Sequence, residues 1–259
     1  MALETLPELV KFAAEVADMV RPISLKYFRA KCAIDVKADG SPVTVADREC
    51  ELAIREMLTE AYPAHGILGE ELGGDASDRR YAWIVDPIDG TKSFIAGAPT
   101  YGTLLALLFE GSPVLGVVDM PALNERWIGV HKQPTTLNGR PVRTSACSAL
   151  GDAMVTIVSP DNFDTNELRT LKHLVDLTRI RRYSSDSYAF GLLASGHVDI
   201  VVTAGQQPYD FLPLVNVVEQ AGGCISDWKG KKLRLDSDGR ILASANHRLH
   251  EQGLSAVRT

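Results

Sequence analysis

No stretch of this sequence approaches the roughly 18 consecutive apolar residues needed to cross a bilayer, so no membrane span is expected. No C-x-x-C pair is present either: Cys32, Cys50, Cys147 and Cys224 stand far apart. That spacing argues against zinc ribbons and disulfide frameworks and leaves four reduced, mostly buried thiols. The chain opens Met1-Ala2-Leu3-Glu4-Thr5 with no basic segment followed by an apolar run, which speaks against secretion and for a cytoplasmic location. Long basic runs are missing as well. Acidic residues outnumber basic ones 33 to 27, for a net charge of −6. The densest basic groups, Arg179, Arg181 and Arg182 and then Lys229, Lys231, Lys232 and Arg234, read as solvated faces, so nucleic acid is not an expected partner. His65, His131, His173, His197, His247 and His250 fall at no metal-ligand spacing, and Gly-x-Ser-x-Gly does not occur, which disfavours zinc sites and serine-hydrolase chemistry. Gly97 and Gly102 have P-loop spacing but are followed by Thr103-Leu104 instead of Lys and Ser or Thr. Asp236-Ser237-Asp238-Gly239 lacks the closing Glu of a calcium loop and reads as a turn.

What is present is enough to build a substantial core: 259 residues, 45% hydrophobic and 23% charged, as one large domain or two closely joined ones. Apolar residues at Leu9, Phe12, Ala13, Val16, Ala17, Val20 and Leu25 predict an amphipathic helix that crosses Pro22. Thr44 caps a second helix with a stripe of Ala46, Cys50, Ala53, Ile54, Met57 and Leu58, ended by Tyr62-Pro63; Asp47 falls in its first turn, off that stripe. Strand-like runs follow at 83–85, 103–109, 114–118 and 127–130, with a hairpin at Asn138-Gly139, and 73–80 reads as a polar loop. From about residue 151 strands alternate with helices: 154–158, 180–183 and 198–202 against 167–177, 187–194 and 211–220. Tyr188, Tyr209 and Phe211 read as core. The expectation is an α/β protein of two closely packed halves, 1–150 with helices backing a meandering sheet and 151–259 with alternating elements.

Asp86-Pro87-Ile88-Asp89-Gly90-Thr91 leaves the buried run Trp83-Ile84-Val85, a common position for ligands in α/β folds. Pro87 restricts the turn and Gly90 lets the main chain approach a ligand, so both carboxylates can face one point. Two carboxylates about 4 Å apart repel by roughly 4 kcal/mol at an effective dielectric of 20, which a proton or a cation must relieve. Oxygen ligands of this kind suit Mg²⁺, Mn²⁺ or Ca²⁺, and such a metal is a usual clamp for phosphate. Gly90 and Thr91 add backbone N–H groups, and Lys92-Ser93-Phe94 can start a short helix whose positive end faces an anion. The same hexapeptide also reads as a simple Asp-Pro turn. Glu70-Glu71 and Asp210 recur at the ends of other apolar runs; read alone, the first is a solvated pair and the second a helix cap.

In order and spacing, Asp47, Gly69-Glu70-Glu71, Trp83 through Thr91, Tyr209-Asp210 and Gly222-Gly223 resemble the inositol monophosphatase superfamily of Mg²⁺-dependent, lithium-sensitive phosphatases, over nearly the whole chain. The resemblance implies a layered α-β-α-β-α sandwich, and metal ligands at Glu70, Asp86, Asp89, Asp210 and the Ile88 carbonyl. It implies two or three Mg²⁺ ions per site, with Mn²⁺ as a substitute and Li⁺ and Ca²⁺ as inhibitors. Gly90 and Thr91 would contact phosphate, while Thr91 and Asp47 orient and deprotonate a metal-activated water with Glu70 close by. A homodimer acting on a small phosphorylated metabolite by in-line attack goes with it.

A closer likeness is to the histidinol-phosphatase branch. It lies in Gly97-Ala98-Pro99-Thr100-Tyr101-Gly102-Thr103-Leu104, in Pro113 through Asp119 with Glu125 through Gly129, and in Asp186 through Gly191 followed by Pro208-Tyr209-Asp210. Inositol phosphatases usually show Trp where Tyr209 stands. Substrate contacts are implied at Ser185, Asp186 and Thr203; the ammonium of histidinol phosphate calls for a carboxylate such as Asp186, which also reads as a helix cap. Thr203 stands where both branches usually have an acid, and Gln207 where Lys is common. The expected activity is histidinol-phosphate hydrolysis in histidine biosynthesis. Inositol 1-phosphate or a sugar or nucleotide phosphate is the alternative substrate, and a binding role in transcription or ribosome assembly is the alternative of another class.

Overall fold

The computed structural model describes residues 6–31, 33–37, 40–77 and 79–258. Cys32 and the opening segment 1–5 lie outside the described residues, while Cys50 is buried and Cys147 and Cys224 are half-buried free thiols.

The first layer is a helix pair, α1 (Leu6–Tyr27) and α2 (Val45–Ala61). α1 runs through Pro22 and buries Leu9, Ala13, Val16, Ala17 and Val20 as its spacing predicts, but Leu25 is 40% exposed. Between the helices lies the hairpin β1 (Ile34–Val36) and β2 (Pro42–Thr44). Thr44 does cap α2: its hydroxyl accepts from the Ala46 N–H, and its own N–H donates to Asp47 at 2.8 Å. That bond draws Asp47 inward. The residue is fully buried, as is Glu51 one turn on, so the buried face of α2 is wider and more polar than its apolar stripe suggests.

The helices cover an eight-stranded sheet of order β10-β9-β8-β7-β6-β5-β3-β4. Its strands are β3 (Gly66–Gly69), β4 (Gly73–Asp75), β5 (Tyr81–Asp89), β6 (Gly102–Phe109), β7 (Ser112–Met120), β8 (Glu125–Val130), β9 (Thr136–Leu137) and β10 (Arg140–Pro141). Strand β4 lies inside the segment expected to be a loop; two glycines and a charge in three residues gave no strand signal there. β5 through β8 form the expected antiparallel meander and β9–β10 the expected hairpin, whereas β3 runs parallel to β5. Strand side chains alternate between faces. Trp83, Val85, Leu105, Leu107, Leu115 and Val117 therefore meet α1 and α2, and Ala82, Ile84, Leu104, Ala106 and Val118 face the other way into a second core.

The other sheet has order β12-β11-β13-β15-β14, from β11 (Met154–Ile157), β12 (Ile180–Tyr183), β13 (Ile200–Thr203), β14 (Cys224–Asp227) and β15 (Ile241–Ser244). After the short α3 (Thr91–Ala96) come α4 (Thr165–Asp176), α5 (Tyr188–Ala194), α6 (Pro208–Glu219) and α7 (His247–Val257). α5 and α6 share the second core with both sheets, while α4 and α7 close a third core on the far face with Val155, Ile157, Ile200 and Val202. The result is the five-layer α-β-α-β-α sandwich. α6 presses directly on the first sheet, because a Cβ at Gly129 would lie 2.3 Å from the Asn216 main chain. That contact fixes where the first turn of α6 points.

Candidate active site

In a regular strand, residues three apart face opposite sides. Asp86 pairs with Leu104 but Asp89 with Gly102, so one extra residue is inserted on β5. This bulge turns both aspartates to the α6 side of the sheet. Pro87, which has no N–H to lose from the ladder, sits in it. The Thr103 hydroxyl donates to the Pro87 carbonyl at 2.9 Å, and the Ile88 N–H donates to Asp86 at 3.1 Å.

α6 supplies the third acid. The helix starts at Pro208, earlier than the apolar spacing predicts, so Asp210 lies within its first turn and accepts the N–H of the capping residue Gln207 at 2.7 Å. The N-cap itself is Gln207, so Asp210 serves the capping box from the third helical position. One carboxylate oxygen from each of Asp86, Asp89 and Asp210 can be chosen so that all lie within 4.8 Å of one another. Burial, then the charges of Glu70, Asp89 and Asp210, push Asp86 well above the ordinary carboxylate range. Burial and the neighbouring Asp186 raise Asp89 to about 7, and burial followed by the charges of Asp89 and Glu70 raises Asp210, against the Gln207 N–H. Such a set is relieved by a cation, and its hard oxygen donors fit Mg²⁺ or Mn²⁺.

Glu70 follows β3 and stands beside this trio. It lies close enough to Asp86 to help raise that carboxyl, and the Lys37 ammonium reaches Glu70 at 2.8 Å and Glu71 at 2.5 Å. Burial lowers the Lys37 pKa, and the two glutamates outweigh it and hold the ammonium charged. Burial pushes Glu71 up to about 7 despite Lys37. Glu51 secures the segment from below, accepting the Glu71 N–H at 2.6 Å and pairing with Arg55.

At the head of α3, Gly90 takes φ +76, a conformation that costs other L-residues energy. The Thr91 hydroxyl lies 3.2 Å from the Ile88 carbonyl and 3.4 Å from Asp47. Burial raises the Asp47 carboxyl, while the Thr44 hydrogen bonds and Lys37 oppose the rise. Asp86, Ile88, Asp89, Gly90, Thr91, Asp47, Glu70 and Asp210 thus come together in one place.

Asp186 joins them from the loop before α5, with φ +45. A Cβ on Gly90 would lie 2.7 Å from its carboxyl carbon, so only glycine admits it. Ser93 and Thr100 donate to Asp186 at 2.5 and 3.1 Å, and its expected alternative as a helix cap is not realised, since Ser187 occupies that position. The Ser187 N–H donates to Asp89 at 2.8 Å, and its buried hydroxyl has no partner among the described residues. Ser185 is buried at 2% exposure; Thr203, buried at the end of β13, donates to the Ala204 carbonyl at 3.5 Å. Lys37, Ser93, Thr100 and Ser187 were not singled out from the sequence, and apart from the closeness of Ser93 and Thr100 to the hexapeptide nothing in the local pattern marks them.

This geometry has close counterparts. The chain is 41% identical over 262 aligned residues to a chloroplastic bifunctional phosphatase, IMPL2, of Arabidopsis thaliana, covering 96% of this chain and 76% of that protein. It is 34% identical to a histidinol-phosphatase of Chlorobaculum parvum, covering 97% and 96%. A solved inositol monophosphatase from Zymomonas mobilis superposes with a TM-score of 0.90 at 40% identity, covering 100% of each chain. The inositol monophosphatase family model matches residues 5–259. With its sandwich, its carboxylate trio and this match over almost its full length, the chain belongs to the inositol monophosphatase family of phosphatases.

Proposed function

We propose that the protein is a Mg²⁺-dependent phosphomonoesterase whose substrate is histidinol phosphate. The convergence of Asp86, Asp89 and Asp210 within 4.8 Å beside the Gly90-Thr91 turn carries the reading. Those three carboxylates, Glu70 and the Ile88 carbonyl hold the metal, two or three ions per site, with Mn²⁺ as a substitute and Li⁺ and Ca²⁺ as inhibitors. Bound Mg²⁺ supplies the charge that acidifies a water and neutralises the phosphoryl oxygens. Gly90 and Thr91 seat the phosphate through their backbone N–H groups. The Thr91 hydroxyl orients the attacking water, opposite the leaving oxygen, and passes a proton to Asp47, 3.4 Å away, while the departing alkoxide takes its proton from a second water.

Asp186 favours histidinol phosphate over a polyol phosphate: it is an acid next to the phosphate turn, where an ammonium on the leaving group is attracted and a neutral polyol gains less. Ser185 and Thr203, assigned to substrate recognition with it, are buried and would act only through the residues that cover them. Phosphate release measured with histidinol phosphate, inositol 1-phosphate, fructose 1,6-bisphosphate and 3′-phosphoadenosine 5′-phosphate tests this. The expected result is preference for the first, abolished by EDTA and restored by Mg²⁺. Preference for another substrate overturns the substrate assignment, and turnover in excess EDTA overturns the metal.

A cytoplasmic homodimer in histidine biosynthesis completes the proposal. Its support is the edge position of β12, whose outer side pairs with no strand among the described residues. Light scattering that finds only monomer would dispose of the dimer.

A further inference from the structure

At the end of the first sheet remote from the carboxylates lies a cleft of about 440 Å³. The β6–β7 turn forms one side, since Phe109 pairs with Tyr81 at the start of β5, opposite the end that bears Asp86 and Asp89. Val215 and Glu219 of α6 form the second side, and the segment Lys232-Leu233-Arg234 before β15 the third. Glu219 ends the helix whose first turn holds Asp210, about 14 Å away at 1.5 Å per residue. The cleft is therefore separate from the active site.

Its walls are of two kinds. Phe109, Val215 and Leu233 supply an apolar floor, with Val215 and Leu233 only 8% and 3% exposed. Above it stand Glu219, Lys232, Arg234 and His131. None of these four side chains makes a hydrogen bond or ion pair among the described residues, whereas Glu110 on the same rim is paired with Arg80. Glu219 is exposed to solvent, and partial burial of its carboxyl raises it against the pull of Lys232 and His131. Uncommitted charges of both signs around an apolar floor are complementary to one small-molecule type. A carboxylate alone would satisfy Lys232 and Arg234 but face Glu219, and an amine alone would do the reverse.

We propose that this cleft binds a free α-amino acid with an apolar or aromatic side chain. Its carboxylate meets Lys232 and Arg234, its ammonium meets Glu219, and its side chain lies on Phe109, Val215 and Leu233. The volume is within the range of small-ligand pockets. The two ligand charges are one carbon apart, which suits a cleft lined by charges of both signs.

Titration calorimetry on the full chain tests it, with leucine, phenylalanine and histidine as probes beside their decarboxylated amines and deaminated acids. The expected result is saturable binding of at least one amino acid, weakened about tenfold or more in Glu219→Gln and in the pair Lys232→Ala/Arg234→Ala. Binding should survive in Asp210→Asn, which disables only the active site. The proposal is overturned if no amino acid binds, if the amine or the acid binds as well as the parent amino acid to the unaltered protein, or if Asp210→Asn loses the binding that Glu219→Gln keeps. The comparison among ligands uses the unaltered protein and does not depend on any variant folding.

Discussion

Thr91 and Asp210 touch the same few ångströms of space through different chemistry, and that difference can be measured. Thr91 is joined to Asp47 and to the Ile88 carbonyl, so Thr91→Ala removes the proposed proton relay and leaves the carboxylate trio whole. Its kcat should fall about 100-fold, the usual scale for a positioned acid–base group, with little change in the Mg²⁺ concentration giving half-maximal rate. Asp210→Asn removes a charge from the trio, so the half-maximal Mg²⁺ concentration should rise together with the loss of turnover. Equal Mg²⁺ dependence in the two variants would refute the division of roles. The acids at this scale stood out because Asp86, Asp89 and Glu70 end apolar runs, where a carboxylate without a partner is costly. Asp47 does fall in the first turn of α2, but its burial was not legible. Apolar periodicity counts only hydrophobic residues, and the capping bond to Thr44 carries this acid inside.

At the scale of elements, α7 and the β14–β15 pair are joined by a buried histidine. His250 of α7 lies 2.8 Å from the Ser226 hydroxyl on β14 and 3.2 Å from that of Ser244 on β15. Burial, helped by His247 and Arg258, lowers its pKa from 6.5 to about 4. The unfolded chain therefore takes up a proton at a higher pH than the folded one does. The stability from neutral His250 is complete above about pH 6.5 and is lost as pH falls toward 4, by about 2 kcal/mol between pH 7 and pH 5. Urea unfolding at those two pH values measures the loss, and His250→Gln, neutral at both, should flatten that part of the slope. An unchanged slope in the variant would assign the pH dependence to other groups. None of these three elements was read from the sequence. β14 and β15 are four residues each, and a strand so short has too few alternations to stand out from a loop. The longer α1, α2 and β5 to β8 repeat their pattern often enough to be found.

Across the whole molecule, the outer helices must be held on the sheet while the site lies on its opposite face. Asp119 of β7, buried at 0% exposure, does this by bonding Arg21 of α1 and Arg126 of β8, and Arg126 reaches back to Asp18 of α1. Asp119→Ala would leave two partly buried guanidinium groups facing an empty position, at a cost of about 3–5 kcal/mol. The measurement is a shift in the urea midpoint, and an unshifted midpoint would show that the network is slack. The sequence by itself determined which face of each longer helix and strand leaves water, because the spacing of apolar residues decides it. It also placed two acids, a proline and a glycine within six residues, although the segment stays in β5 as a bulge through Asp89 where a turn was expected after Val85. Tertiary structure alone decided what meets that segment. The direct seating of α6 on Gly129 aims Asp210 at the pair, the loop before α5 lays Asp186 on Gly90, and the β1–β2 hairpin brings Lys37 to Glu70. Those approaches join residues far apart in the chain, and their positions follow from how the layers stack, which no local pattern encodes.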